Sequence, residues 1–195
     1  MNSTLQKTLA GLLALAGVAL SGCAPLLIGG AATGASVVHD RRSAGTVLDD
    51  QNIEFKAAGI SFGDPQLREH TNISATSYNL TLLLTGQAER PELRELYLQK
   101  ARGIERVARI VEDIQIAPLA TLAEKGQDAF ITSKVKLNLL DIKLPGFDPT
   151  RVKVVTERGV VYLMGMVTKR EEAEVVQKVR FIPGVARVVK SFEYL

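Results

Sequence analysis

Tryptophan is absent from this 195-residue chain, and aromatic residues make up only 5% of it. Single-stranded nucleic acid is held by stacking bases on aromatic rings, so that partner is not expected. A net charge of +3 is too mild to suggest duplex DNA binding. Histidine occurs twice, at His39 and His70, and cysteine once, at Cys23. One thiol closes no intramolecular disulfide, and these three residues build no Cys/His metal cluster. Ser43, Ser61 and Ser74 lie near the histidines, but no nucleophile-elbow pattern surrounds them. Gly29-Gly30 lacks the lysine of a phosphate-binding loop. The acidic pairs Asp49-Asp50 and Glu171-Glu172 stand at helix starts, where negative charge favours the helix dipole. We therefore expect no enzyme, no metal, no dissociable cofactor and no small-molecule substrate.

Hydrophobic residues make up 46% of the chain, enough for a core. The first apolar run, Leu9 to Leu20, follows a single basic residue, Lys7. It falls short of the roughly 20 residues a spanning helix needs, and it fits the apolar core of a secretory signal over residues 1–22. Leu20-Ser21-Gly22-Cys23 then resembles the bacterial lipobox. That resemblance implies a covalent diacylglycerol and an N-acyl chain on Cys23, the new N-terminus. The alternative is a buried free thiol behind an ordinary signal. Each buried methylene adds about 0.8 kcal/mol, so more than one chain anchors firmly. Ala24 stands where lipoproteins kept in the inner membrane often carry Asp. By likeness to that sorting rule, the destination is the periplasmic face of the outer membrane. Residues 23–45 then form a Gly/Ala-rich tether, with a packed small-residue helix as the sharper reading.

The rest of the chain is one unit written twice. Leu80 to Gly86 aligns with Gly159 to Gly165, the end glycines lying 79 apart. Val107 to Val111 aligns with Val185 to Val189, and Ile53 to Ile60 with Ile131 to Asn138, both at an offset of 78. Near-constant spacing over three blocks marks a repeat. In the second unit, Asp128 is expected to cap a helix reaching Leu140, with Ile131, Val135, Asn138 and Leu139 on its core row. A strand over Arg151 to Glu157, a turn at Arg158-Gly159 and a strand over Val160 to Val167 form a hairpin. Thr168 caps the next helix, Lys169 to Phe181, with Glu171 at the capping-box spacing. Pro183-Gly184 ends it, and Val185 to Tyr194 is the last strand. The first unit repeats the order: a helix over Leu48 to Ser61, strands over Asn72 to Ser77 and Leu80 to Gln87, a helix from Pro91 to Arg102, and a strand over Val107 to Ile116. The units are expected over 46–117 and 126–195, joined by a linker over 118–125.

Two αββαβ units, each with a glycine late in the hairpin's second strand, resemble BON domains. Gly165-Met166-Val167, Gly184-Val185 and Val188 match that family's pattern. The first unit departs from it: Gly86-Gln87-Ala88 lacks the Val, and Arg106 stands in the place of Gly184. Asp40-Arg41-Arg42-Ser43-Ala44-Gly45-Thr46 with Asp49-Asp50 resembles the lead-in of one subgroup. With lipobox, tether and two units, the chain is similar to dual-BON outer-membrane lipoproteins. The implied fold class is α+β, each unit a three-stranded mixed sheet with two helices packed on it. The implied role is non-enzymatic: binding phospholipid and supporting envelope integrity.

Charge separates the units. Residues 46–116 hold eight Lys/Arg against eleven Asp/Glu, and residues 126–195 hold twelve against eight. The near-neutral total hides opposite signs. The units either face different partners or attract one another. A basic unit near a bilayer is drawn to anionic headgroups, about 1 kcal/mol per Lys or Arg. On the second unit's first helix, Phe130, Lys134 and Leu137 share an arc rotated from the core row. They are the candidate phospholipid-binding residues, with Lys136 and Arg180 as rim charges. The competing reading packs Phe130 and Leu137 against the first unit or the linker. The expected partners are an anionic phospholipid membrane and, in the rival class, outer-membrane assembly proteins held by a protein-interaction scaffold.

Overall fold

A computed structural model describes residues 40–195. Cys23, His39, the signal segment and most of the tether lie outside the described residues.

The first unit comprises α1 (Ala44–Gly63), α2 (Pro65–His70), β1 (Thr71–Tyr78), β2 (Thr81–Ala88), α3 (Pro91–Ala101) and β3 (Arg109–Ile116). The second comprises α4 (Leu122–Leu140), a 3-10 turn at Pro149–Arg151, β4 (Lys153–Glu157), β5 (Val160–Val167), α5 (Lys169–Val179) and β6 (Arg187–Tyr194). In each sheet the middle strand pairs antiparallel with the strand before it and parallel with the strand after α3 or α5. The expected αββαβ order is present in both units. The first carries α2 in addition. Gly63, Asp64 and Pro65 end α1, since the residue before proline is pushed out of the helical region. The Asp64 side chain then caps α2 by accepting from the Gln66 amide at 3.1 Å. Leu67 of α2 is fully buried.

Two expectations need correcting. Asp128 does not cap α4, and residues 118–125 are not all linker. The helix begins at Leu122, because Thr121 and Glu124 form a capping box ahead of it. Asp128 instead lies buried nearly two turns in, where its oxygens accept the Arg158 and Gly159 amides at 2.8 and 2.9 Å. Asp50, 78 residues earlier, does the same for Asn79 and Leu80, both at 2.8 Å. Both hairpins turn through two residues of positive φ, the geometry that matches strand twist. Asp50 therefore holds a turn rather than tuning a helix dipole.

Each unit has a core between its helices and one face of its sheet. Ile53, Ala57, Leu82, Leu84 and Tyr97 centre the first, and Ile131, Val135, Val161, Leu163 and Val175 the second. The opposite faces meet in a third cluster of Tyr78, Leu83, Val160, Tyr162 and Met164. Strands β2 and β5 are thus buried on both sides. Polar contacts frame this contact between units. Tyr162 donates to Asp113 at 2.7 Å, Arg187 pairs with the same carboxylate at 2.8 Å, and Asn79 donates to Glu193 at 2.6 Å. The fully buried Gln87 donates to Glu157 and accepts from Asn72 and Ala120, each at 3.0 Å. Part of the charge difference is spent here, as Asp113–Arg187 and Glu54–Lys153 pair acid of the first unit with base of the second.

The glycine late in each hairpin has a steric cause. Gly86 and Gly165 have positive φ, and an added Cβ would lie 1.9 Å from the Asn72 carbonyl oxygen and 2.6 Å from that of Arg151.

Candidate membrane-facing surface

Helix α4 buries Asp128, Ile131, Val135 and Leu139 against the second sheet. At about 100° per residue, Leu122, Phe130, Ser133, Leu137 and Leu140 fall on the opposite side. No acidic residue of α4 falls on that side. Phe130 is 55% exposed and Leu137 63%, so neither is packed against the first unit. Lys134 and Lys136 fall on opposite flanks of the apolar line. The Lys134 ammonium sits 4.3 Å above the Phe130 ring and reaches the Pro183 carbonyl at 3.5 Å. Phe130, Lys134 and Leu137 thus share one outward surface.

The contact with Pro183 brings in a residue the sequence pattern did not single out. Phe181, just beyond α5, is 68% exposed, and the Arg180 guanidinium lies 4.5 Å from its ring. Phe181 reads as the last turn of a helix. The helix stops at Val179, with the Arg180 amide donating to the Val176 carbonyl, and the ring turns to solvent. Two exposed phenylalanines, each under a cation, therefore stand beside each other's segments. Aromatic rings and long basic side chains are the groups that straddle an apolar–aqueous boundary.

Among the described residues, those considered for catalysis each have a structural partner. His70 ends α2 and is exposed, with Nδ1 2.8 Å from the Glu89 carboxylate. Ser43 caps α1 by accepting from the Thr46 amide at 3.0 Å. Glu171 accepts from the Thr168 amide and closes the capping box of α5. Among the described residues no cluster of His, Cys, Asp and Glu could hold a metal ion, and no helix is long and apolar enough to cross a membrane.

Tandem αββαβ units joined sheet to sheet define a two-module α+β protein. The pattern of the BON domain matches residues 49–118 and 127–195, and the chain belongs to the BON-domain family. It is 34% identical over 177 residues to outer membrane lipoprotein DolP of Haemophilus influenzae, covering 90% of each chain. It is 33% identical over 159 residues to the 21 kDa hemolysin of Actinobacillus pleuropneumoniae, covering 80% of this chain and 79% of that one. Among solved structures, CdsD, a structural protein of the type III secretion system of Chlamydia trachomatis, aligns over 74% of this chain and 92% of its own, at 13% identity and a TM-score of 0.31.

Proposed function

We propose that this chain is a non-enzymatic outer-membrane lipoprotein, anchored through acylated Cys23 on the periplasmic face, whose second BON unit binds anionic phospholipid and supports envelope integrity. The likeness to the Haemophilus lipoprotein along 90% of both chains supports the address. The observation that carries the binding reading is the outer side of α4: Phe130 and Leu137 exposed in an uncharged line between Lys134 and Lys136. The apolar residues enter the headgroup boundary while the lysines meet phosphate. Phe181 and Arg180 extend the same surface. The test uses the Cys23→Ser chain, which cannot be acylated, in co-sedimentation with phosphatidylglycerol vesicles. Phe130→Glu and Lys134→Glu should lose sedimentation while keeping the wild-type circular dichroism. Equal binding by folded variants would sink the assignment.

A second reading, a scaffold for outer-membrane assembly proteins, is favoured by one observation on the first unit. Leu48, Phe55 and Phe62 repeat every seven residues along the outer side of α1, with Phe55 81% and Phe62 73% exposed. The first unit is net acidic, so its row suits an uncharged protein helix better than an anionic bilayer. The same vesicle assay separates the readings, since a pure scaffold without its acyl chains leaves the vesicles unbound.

A further inference from the structure

Beside the outward line of α4, the second unit carries an open apolar groove. It has a volume of about 400 Å³, within the range of small-molecule sites. Its floor is Leu139, Val152 and Val154, all buried, and its lip is Leu137 and Leu140, both exposed. It runs between the C-terminal half of α4 and β4, an edge strand with no further strand to cover it.

Two lysines border this apolar space. Lys136 is exposed and makes no ion pair among the described residues. Lys153 is shared with Glu54 at 3.4 Å. The groove's chemistry belongs to the second unit alone. At the repeat spacing, the first unit has Ala58 for Lys136, Gly59 for Leu137 and Ser74 for Lys153. The shared fold therefore requires neither the leucine lip nor the cations. Apolar walls beneath an unpaired cation fit a ligand that is hydrocarbon at one end and anionic at the other.

We infer that this groove takes one acyl chain of an anionic phospholipid, with the headgroup phosphate on Lys136. This rests on the proposed membrane-facing role of α4 and adds to it. Surface contact through Phe130 and Phe181 leaves lipids in their leaflet, whereas the groove draws a single chain between α4 and β4.

The test uses the full chain with Cys23→Ser and vesicles of phosphatidylcholine and phosphatidylglycerol, the latter carrying a diazirine on one acyl chain. Light-induced cross-links are mapped by mass spectrometry. The groove predicts cross-links on Leu137, Leu139, Val152 and Val154. They should be lost in Thr150→Trp, which blocks the mouth from an exposed position, and reduced in Lys136→Glu. Both variants should keep wild-type circular dichroism. Thr150→Trp should also sediment like wild type, whereas Lys136→Glu loses a phosphate contact and sediments less, so its cross-links are scored per sedimented chain. If Thr150→Trp misfolds, exposed Lys136→Glu decides. Cross-links confined to Phe130 and Phe181, or undiminished in the folded variants, overturn the groove and leave the surface reading standing. If the chain fails to sediment with vesicles, the surface reading falls instead. The same cross-linking with monomeric diazirine-bearing lysophosphatidylglycerol then decides the groove: labelling of its walls supports it, and no labelling overturns it.

Discussion

Arg41 places its two terminal guanidinium nitrogens on the two carboxylate oxygens of Glu171, at 2.7 and 2.8 Å. One of them also donates to the Met166 carbonyl at 2.7 Å. The next residue reaches the other unit: Arg42 pairs with buried Asp50 at 2.8 Å and lies 4.0 Å over the Tyr78 ring. Two consecutive residues ahead of α1 thus clasp both BON units.

Removing Arg41 should be felt in the second unit, far along the chain. The forked pair is charge-assisted and largely shielded, so Arg41→Ala should cost about 1–3 kcal/mol in urea unfolding. The Arg41 hydrogen bonds hold the Glu171 carboxyl below the ordinary glutamate range, against a smaller opposing effect of burial. A depressed carboxylate contributes stability above its unfolded-state pKa and loses it as pH falls through the folded value. Wild type should therefore lose more stability on acidification than Arg41→Ala. Parallel acid limbs in melts of the two proteins would dismiss the coupling.

The hairpin glycines offer a graded comparison. Gly86→Ala drives a Cβ closer to backbone than Gly165→Ala does, so it should be the more damaging. Both should destabilise by about 2–4 kcal/mol, the range for a positive-φ position combined with overpacking. Gly126 lies inside α4 with nothing within 4 Å of an added Cβ. Gly126→Ala should stabilise by about 0.5–1 kcal/mol. Chemical denaturation of the three variants checks the order.

Much of this was legible in the residues, for identifiable reasons. Thr168–Glu171 and Arg158-Gly159 are local signals, and the structure uses each of them locally, while the repeat offset carries the order of one unit over to the other. The start of α4 was legible too, in the Thr121–Glu124 box, but the Asp128 signal displaced it. Asp50 and Asp128 share the repeat offset, and that was the available sign of a common task. The face-to-face sheets were harder to see. Leu82 to Leu84 is apolar without alternation, as in a strand covered on both sides, yet no local pattern says what covers the second face. Phe181 was hidden by helical spacing that continues past the helix's end.

The sheet-to-sheet contact should make the two units unfold together. Asp113 of β3 accepts from Tyr162 and Arg187 of the second unit. Burial, then the bond to Asp113, pushes the Tyr162 hydroxyl pKa well up, so it stays a donor across the working range. Asp113→Ala strands that hydroxyl and should cost about 1–3 kcal/mol. Tyr162→Phe should cost less, and Asp113→Ala placed on Tyr162→Phe should add less than it does alone. Strict additivity in this cycle, measured by thermal unfolding, would mean the bond couples nothing.

Vesicle binding should depend on salt and on Phe181. Each lysine or arginine at an anionic surface contributes about 1 kcal/mol, screened beyond a Debye length of about 8 Å at physiological ionic strength. Lys134→Glu should therefore weaken binding about 30-fold at low salt, and less at high salt. Phe181→Ser removes an exposed ring, so it should lower vesicle affinity without shifting the urea midpoint. A changed midpoint with unchanged vesicle affinity would place Phe181 in folding instead.

The two buried aspartates should respond differently to the same substitution. Asp128 accepts two turn amides, and its removal leaves those N–H groups short of partners, at about 1–3 kcal/mol. Asp50 accepts two amides and the Ser77 hydroxyl at 2.6 Å, and it also pairs with Arg42. Asp50→Ala also takes one of two carboxylates from the largely buried Arg42 guanidinium, which keeps Asp40 at 2.7 Å, so a larger loss of about 2–4 kcal/mol is expected. Leu80 raises the stakes at that turn, because it holds a φ of 63° where the second unit has Gly159. Replacing Leu80 by Gly should therefore rescue part of the Asp50→Ala loss. The corresponding turn in an Asp128→Ala protein offers no such rescue, as its second residue is already glycine. Urea midpoints of the single and double variants separate these outcomes. An equal loss at Asp50 and Asp128 would show that Arg42 and the strained turn contribute little to the first unit.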